Sequence, residues 1–354
     1  MSETIKIPAE NANVRRLGRT LMRNGTLWLG YSLTGAEFGF DGTSLSAELT
    51  TDWVNDEAWK ENFQPYMAVL VNGKLLKRFA VNEGTAEYEL YRSERAEKVR
   101  IRLVKLSENA FSKVGVLSFS ADGKLTATKP CSERRIEFVG DSITCGFGIE
   151  GRSADEGFRT STENPLINYA SLTANELGAE YQLISWTSIG VYSNSVKDDR
   201  TEPDNAWTMP VIYDCTDKAV DGMLGNEPEK WDHSRFVPQL IVVNLGTNDR
   251  DFTRGIPERT AAFENCYREF IAHIREKEPQ AHIICALGAM GRELLPQVEN
   301  AVKSLADERI TSLGFDVQRE EDGIGSEQHP NAVTHRKMAD RLIAEIKRLG
   351  IFKE

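Results

Sequence analysis

The hydrophobic period of this chain changes once, near Arg134, and that change limits the fold it can adopt. Before it, apolar residues come in short runs at strand spacing. Leu27–Leu33 and Ala36–Phe40 alternate in part; Leu45–Leu49 and Tyr88–Tyr91 alternate more cleanly. Val99-Arg100-Ile101-Arg102-Leu103 sets apolar against basic residues, as a strand with one wet face should. The strongest local signal is Met67–Val71, then Asn72-Gly73, then Lys74–Val81. Asn-Gly supplies the two positive φ angles of a type I′ turn, so a hairpin is predicted there. A second turn, Asp122-Gly123, follows Val116–Ser120. No helical stretch separates these runs, which suits a jelly-roll-like β-sandwich.

After Arg134 the short apolar runs are Ile136–Val139, Tyr181–Trp186, Leu240–Asn244 and His282–Leu287, with helical segments between them. Pro257–Lys277 carries Phe263, Cys266, Tyr267, Phe270, Ile271 and Ile274 at helical offsets. A last helix, from about Ala332 to Leu349, sets Met338, Leu342, Ile346 and Leu349 on one stripe. Alternating strands and helices predict a parallel sheet covered on both faces. Residues 124–133 have linker composition, and 354 residues suffice for two domains. The expected organisation is a β-sandwich over residues 1–128 and an α/β domain over 129–354.

Charge and cysteine usage bound the function. Forty-three basic against 54 acidic side chains leave a formal charge of −11, which disfavours nucleic acid and anionic membrane surfaces but not a neutral sugar. No apolar run approaches the ~20 residues of a spanning helix, and the N-terminus lacks a secretory signal pattern. The five cysteines are odd in number and form no CxxC pair. A reducing cytoplasm without disulfides is expected, and no histidine or cysteine spacing calls for a metal or other cofactor.

In an open α/β sheet, functional groups gather beyond the carboxyl ends of strands. After Ile136–Val139 comes Gly140-Asp141-Ser142, a sharp bend that can expose a hydroxyl beside helix N–H groups or can be an ordinary helix cap. After Leu240–Asn244, Gly246-Thr247-Asn248-Asp249 is a good turn sequence that also places an amide NH₂ for an oxyanion. Gly190, in the loop after Tyr181–Trp186, offers a second N–H. Of the five histidines, His335 reads as a solvated helix residue, His273 as part of a polar helix stretch, His282 as a strand start and His233 as a loop residue. His329 follows the loop Gly323–Gln328 and precedes Pro330 at the start of the last helix, within reach of a serine at another strand end.

Taken in order, Gly-Asp-Ser, a later Gly, Gly-Thr-Asn-Asp and His-Pro resemble the SGNH (GDSL-like) hydrolases. A β-sandwich ahead of Phe138-Val139-Gly140-Asp141-Ser142-Ile143-Thr144-Cys145-Gly146 is similar to carbohydrate esterase family 2, as are Ser188-Ile189-Gly190-Val191-Tyr192-Ser193-Asn194 and Trp231-Asp232. The resemblance covers the whole chain. It implies a flavodoxin-like three-layer α/β/α domain and a serine esterase that removes acetyl groups from plant-polysaccharide sugars such as xylan and mannan units. Ser142 would be the nucleophile and His329 the base; Ser142, Gly190 and Asn248 would form the oxyanion hole. Asp141 and Asp249 would support the loops by binding N–H groups.

The third catalytic member departs from the family. Superfamily members usually carry Asp three residues before the histidine, and this family often has it two before; here those positions are Ser326 and Glu327. Glu327 can be the orienting acid or a solvated loop residue, and a backbone carbonyl in its stead would leave a dyad. Trp186, Tyr192, Trp207 and Trp231 are aromatic candidates for sugar binding, Trp231 and Tyr192 foremost. The partner expected is an acetylated oligosaccharide, with homo-oligomerisation through the sandwich left open. Other readings are an SGNH lipase or thioesterase of other acyl esters, and a catalytically inactive glycan-binding protein.

Overall fold

The computed structural model describes residues 4–52, 62–197 and 199–352. They form two compact units. One holds the described residues up to Pro130 together with 159–161 and 216–229; the other holds 131–158, 162–215 and those from 230 onward.

The first unit is antiparallel. Its strands are β1 (Ile5–Pro8), β2 (Arg15–Leu17), β3 (Leu21–Arg23), β4 (Thr26–Leu29), β5 (Gly35–Thr51), β6 (Tyr66–Val71), β7 (Lys74–Ala80), β8 (Thr85–Lys105), β9 (Val114–Ala121) and β10 (Lys124–Thr126). They pair in the order β3-β4-β9-β5-β8-β6-β7, with β1 on β9 and both β2 and β10 on β5. The β6–β7 turn is the predicted one, Asn72 at φ 51° and Gly73 at φ 80°. Two expectations change. Ala36–Phe40 and Leu45–Leu49 belong to one 17-residue strand, and Tyr88–Tyr91 and Val99–Leu103 to one of 21 residues. The β5–β8 register slips between Gly42 and Ser44 and again between Leu45 and Ser46. At the first slip one residue of β5 stands against four of β8, and such irregularities bend a strand and reset its alternation, so each long strand reads as two. Part of the expected linker, Lys124–Thr126, also pairs with Gly39–Asp41. Phe38, Phe40, Leu45, Leu49, Ile101 and Phe119 belong to one buried hydrophobic core.

The second unit carries β11 (Arg135–Gly140), α1 (Ser142–Cys145), α2 (Tyr169–Glu176), β12 (Glu180–Ser185) and α3 (Met209–Tyr213). After α4 (Lys218–Met223), which belongs to the first unit, come β13 (Leu240–Asn244), α5 (Asp249–Thr253), α6 (Pro257–Lys277), β14 (His282–Ala289), α7 (Leu295–Leu305), β15 (Ile310–Val317) and α8 (Ala332–Leu349). The sheet is parallel, in the order β12-β11-β13-β14-β15. Its central strands are buried on both faces, β13 along its whole length and β11 from Ile136 to Gly140, and are mostly apolar for that reason. Gly140 lies opposite both Ser185 and Asn244, so three strands end on one rung and their loops leave side by side. No helix among the described residues is long and apolar enough to cross a membrane.

His335 corrects the reading of a solvated residue. It is fully buried on α8, its Nδ1 accepts the Tyr169 N–H at 3.1 Å, and its ring stacks on that of Tyr169. Burial lowers its pKa to about 3 from the ordinary 6.5. Between those two values the unfolded chain binds a proton that the folded one refuses. Stability present above pH 6.5 is therefore lost at about 1.4 kcal/mol per pH unit as pH falls toward 3. His335→Gln is expected to flatten the acid side of a stability profile measured by urea unfolding. A slope equal to the wild type's would exclude this histidine from acid unfolding.

Candidate active site

Ser142 opens α1, and the Asp141 carboxylate caps that helix by accepting the Ile143 N–H at 3.0 Å. The bend depends on Gly140, since a Cβ there would lie 2.1 Å from Thr144 Oγ1. As the first residue of a helix, Ser142 has a backbone N–H without an intrahelical acceptor. Its Oγ lies 2.9 Å from His329 Nε2.

The loop that presents His329 is held in an unusual shape. Glu327 and Gln328 take φ of 48° and 63°, a left-handed conformation that residues with side chains seldom adopt. Main-chain bonds hold it there: Ser326 N–H to Gly148 O at 3.0 Å, Glu327 N–H to Glu156 O at 3.1 Å and Gln328 N–H to Ala154 O at 3.2 Å. The result aims the Glu327 carbonyl at His329 Nδ1, 2.8 Å away, while the Glu327 carboxylate turns aside and accepts the Phe158 N–H at 3.1 Å. This corrects the orienting-acid expectation, because Glu327 meets the histidine with its backbone. A carbonyl only accepts, so Nδ1 carries the proton and the Nε2 lone pair faces Ser142.

Phe147 lies against the imidazole at 4.2 Å between ring centroids and stacks on Phe158 at 3.6 Å. Burial lowers the His329 pKa, opposed by the hydrogen bond to the Glu327 carbonyl. The histidine thus stays neutral, and competent as a base, to lower pH than a free imidazole. The acid limb of a kcat/KM profile is expected to have its midpoint below about 6.5. A midpoint above that value would contradict this environment.

Asn248 precedes α5 and makes no capping bond; its Nδ2 donates to Ile189 O at 2.8 Å and lies 3.5 Å from Asp141 Oδ2. That fixes the plane of the amide. Gly190 is required where it stands, since a Cβ would meet Ser193 O at 1.9 Å and Asp249 Oδ1 at 2.9 Å. Its N–H donates to Asn194 Oδ1 at 3.1 Å within the same loop. Fully buried Asp249 Oδ1 accepts three successive N–H groups, Val191 at 3.1 Å, Tyr192 at 2.7 Å and Ser193 at 3.0 Å. Burial raises Asp249 to about 6 against those bonds. Burial likewise raises Asp141 to about 7, opposed by the Ile143 N–H and the Thr247 hydroxyl. Both acids fasten loops.

The structure therefore brings together Ser142, His329, Asn248, Asp141 and the Glu327 backbone. Trp231 is not an open platform: it is 6% exposed and the Arg235 guanidinium lies over its ring at 4.8 Å. Tyr192 is half-buried against Phe252. Trp207 is 39% exposed and touches Trp186. His233 pairs with Glu278 and His273 with Asp214. Phe147 and Phe158 lie outside the motifs that the sequence marks. Phe147 had a signal, a bulky residue between Gly146 and Gly148, both of positive φ.

Comparison with known proteins gives a consistent result. Residues 138–337 match the GDSL-like Lipase/Acylhydrolase family, and residues 16–146 match the Carbohydrate esterase 2 N-terminal family. Cellulase/esterase CelE of Acetivibrio thermocellus is 32% identical over 90% of this chain, which spans 37% of CelE. An acetylxylan esterase / glucomannan deacetylase of Cellvibrio japonicus is 28% identical over 99% of this chain and 92% of its own length. A family two carbohydrate esterase from Clostridium thermocellum, solved in complex with cellohexaose, superposes with a TM-score of 0.82 at 30% identity, covering 96% of this chain and all of the other.

Proposed function

As a member of carbohydrate esterase family 2 built on a GDSL-like acylhydrolase domain, this chain is a carboxylic ester hydrolase, and we propose that its substrates are O-acetylated oligosaccharides. They would derive from plant polysaccharides and be xylo-, manno- or gluco-configured. The carrying observation is the 2.9 Å contact between Ser142 Oγ and the unprotonated His329 Nε2. In this reading Ser142 Oγ attacks the acetyl carbonyl as Nε2 takes its proton, and the Glu327 carbonyl steadies the imidazolium through Nδ1–H. Negative charge on the carbonyl oxygen is met by the Asn248 amide, the Ser142 N–H and the Gly190 N–H, which Asn194 must release. One such donor is worth about 3 kcal/mol in the transition state. Collapse expels the sugar oxygen, which receives the proton from Nε2, and water then hydrolyses the acetyl-enzyme by the reverse route.

The neutral sugar agrees with a net charge of −11, and an acetyl group agrees with the names of the Cellvibrio relatives. Acetate release from acetylated xylo- and manno-oligosaccharides, with the freed hydroxyl located by NMR, tests the substrate class. A p-nitrophenyl ester series tests the acyl group: preference for octanoate over acetate would favour a lipase or thioesterase instead.

Glu327 supplies a separate check. Glu327→Gln keeps both the backbone carbonyl and an acceptor for the Phe158 N–H, and Glu327→Ala keeps only the former. The first is expected near wild type and the second less than about tenfold down, the scale of one lost hydrogen bond. A fall of about 10⁴-fold in Glu327→Gln, as seen when an orienting acid is neutralised, would restore the triad.

A further inference from the structure

A cavity of about 430 Å³ opens in the hydrolase unit beside the Gly190 loop, a volume in the range of small-molecule sites. Tyr192, Thr208, Asp214, Cys266, Glu269 and His273 line it. Its wall is joined to the proposed oxyanion loop by short bonds: the Met209 N–H donates to Gly190 O at 2.9 Å, and the Val191 and Tyr192 N–H groups rest on Asp249. A ligand seated here would press on the Gly190–Val191 peptide, next to the one that carries the Gly190 N–H.

The lining selects among ligand classes. Two carboxylates, Asp214 and Glu269, repel an anion. Asp214 already pairs with His273 Nε2 at 2.8 Å, so it is a poor site for a free cation. The Thr208 hydroxyl makes no capping bond to α3, and Tyr192 adds an aromatic side chain with a polar tip. Carboxylate acceptors, a hydroxyl and an aromatic side chain together suit a neutral polyhydroxylated ring.

We propose that this cavity is a glycan subsite holding a further sugar unit of the oligosaccharide whose acetyl group is cleaved at Ser142. It rests on the proposed substrate class, yet binding here does not require turnover. Half-buried Cys266 reports on the cavity, and exposed Cys131 is an internal reference in the same chain. Maleimide labelling of the wild-type protein, read peptide by peptide by mass spectrometry, is followed with unacetylated xylotetraose, mannotetraose or cellotetraose.

With one of these sugars at ten times its dissociation constant, Cys266 labelling is expected to slow about tenfold while Cys131 labelling is unchanged. The half-protecting concentration is expected to rise about tenfold in His273→Ala and in Glu269→Gln, the equivalent of one lost polar contact. Labelling of Cys266 unaffected by all three sugars up to their solubility limit would overturn the subsite, as would protection that neither variant weakens. Acetate release without protection defeats the subsite alone. Protection without acetate release from any acetylated oligosaccharide supports the subsite and defeats the esterase reading.

Discussion

Ser142→Ala is expected to lower acetate release by about 10⁴-fold or more while leaving the fold unchanged. The side chain is small, and its hydroxyl has His329 Nε2 as its partner at 2.9 Å, so alanine opens no cavity larger than one oxygen. The cap of α1 survives, because it is made by Asp141 and not by Ser142. What is lost is the hydroxyl that His329 Nε2 faces, and with it the acetyl-enzyme route. Binding of the oligosaccharide should persist. A catalytically inactive glycan-binding protein would behave differently: its trace esterase rate would be the same with and without Ser142.

Asn248→Ala is expected to reduce kcat by about 10²- to 10³-fold with little change in KM, the size of effect found for one oxyanion donor. Asn248 lies just before α5, in the loop that leaves β13 after Asn244, the residue opposite Gly140, and its amide comes within 3.5 Å of Asp141 in the Ser142 loop. Its plane is set by the bond to Ile189 O at 2.8 Å, which leaves the amide pre-aimed before substrate arrives. The kcat–KM split is diagnostic. A donor that acts only on developing charge changes the chemical step, whereas a residue that merely supports the Ile189 loop would weaken binding and stability together. Equal losses in kcat and thermal stability would assign Asn248 to the loop alone.

Much of this architecture was legible because its signals are local. Asn72-Gly73 specified a turn, and Pro257–Lys277 and Ala332–Leu349 specified helices whose ends agree with α6 and α8. The alternation of strand and helix specified the parallel sheet. Signals that depend on tertiary register were not legible. The slips at Gly42 and Leu45 reset the phase of β5 and hid its length. Edge strand β15 buries only Ile310, Leu313 and Phe315 and carries Gly314, too weak a pattern to read as a strand. His335 reads as solvated because it is polar and adjoins the charged Arg336-Lys337, and packing on Tyr169 reveals its burial.

The site divided along the same line. Ser142, Gly190, Asn248 and His329 stand at strand ends and loops that the sequence order marks. The group that faces His329 Nδ1 is a carbonyl, which any residue possesses, so no side chain pattern can announce it. Glu327 was singled out for its carboxylate, but its left-handed backbone sends that group to the Phe158 N–H. Trp231 was singled out as an aromatic near a loop, and the guanidinium of Arg235 covers it.

The most direct test of the central claim is the partitioning of acetyl groups between water and added methanol during turnover. Acetylated xylobiose, acetylated mannobiose and p-nitrophenyl acetate differ only in the leaving group. If all three pass through one acetyl-Ser142 intermediate, the ratio of methyl acetate to acetate is expected to be the same for each, and neither product should form with Ser142→Ala. Ratios that vary with the leaving group, or sugar acetates that yield no product while p-nitrophenyl acetate does, would contradict an acetyl-enzyme formed from carbohydrate esters.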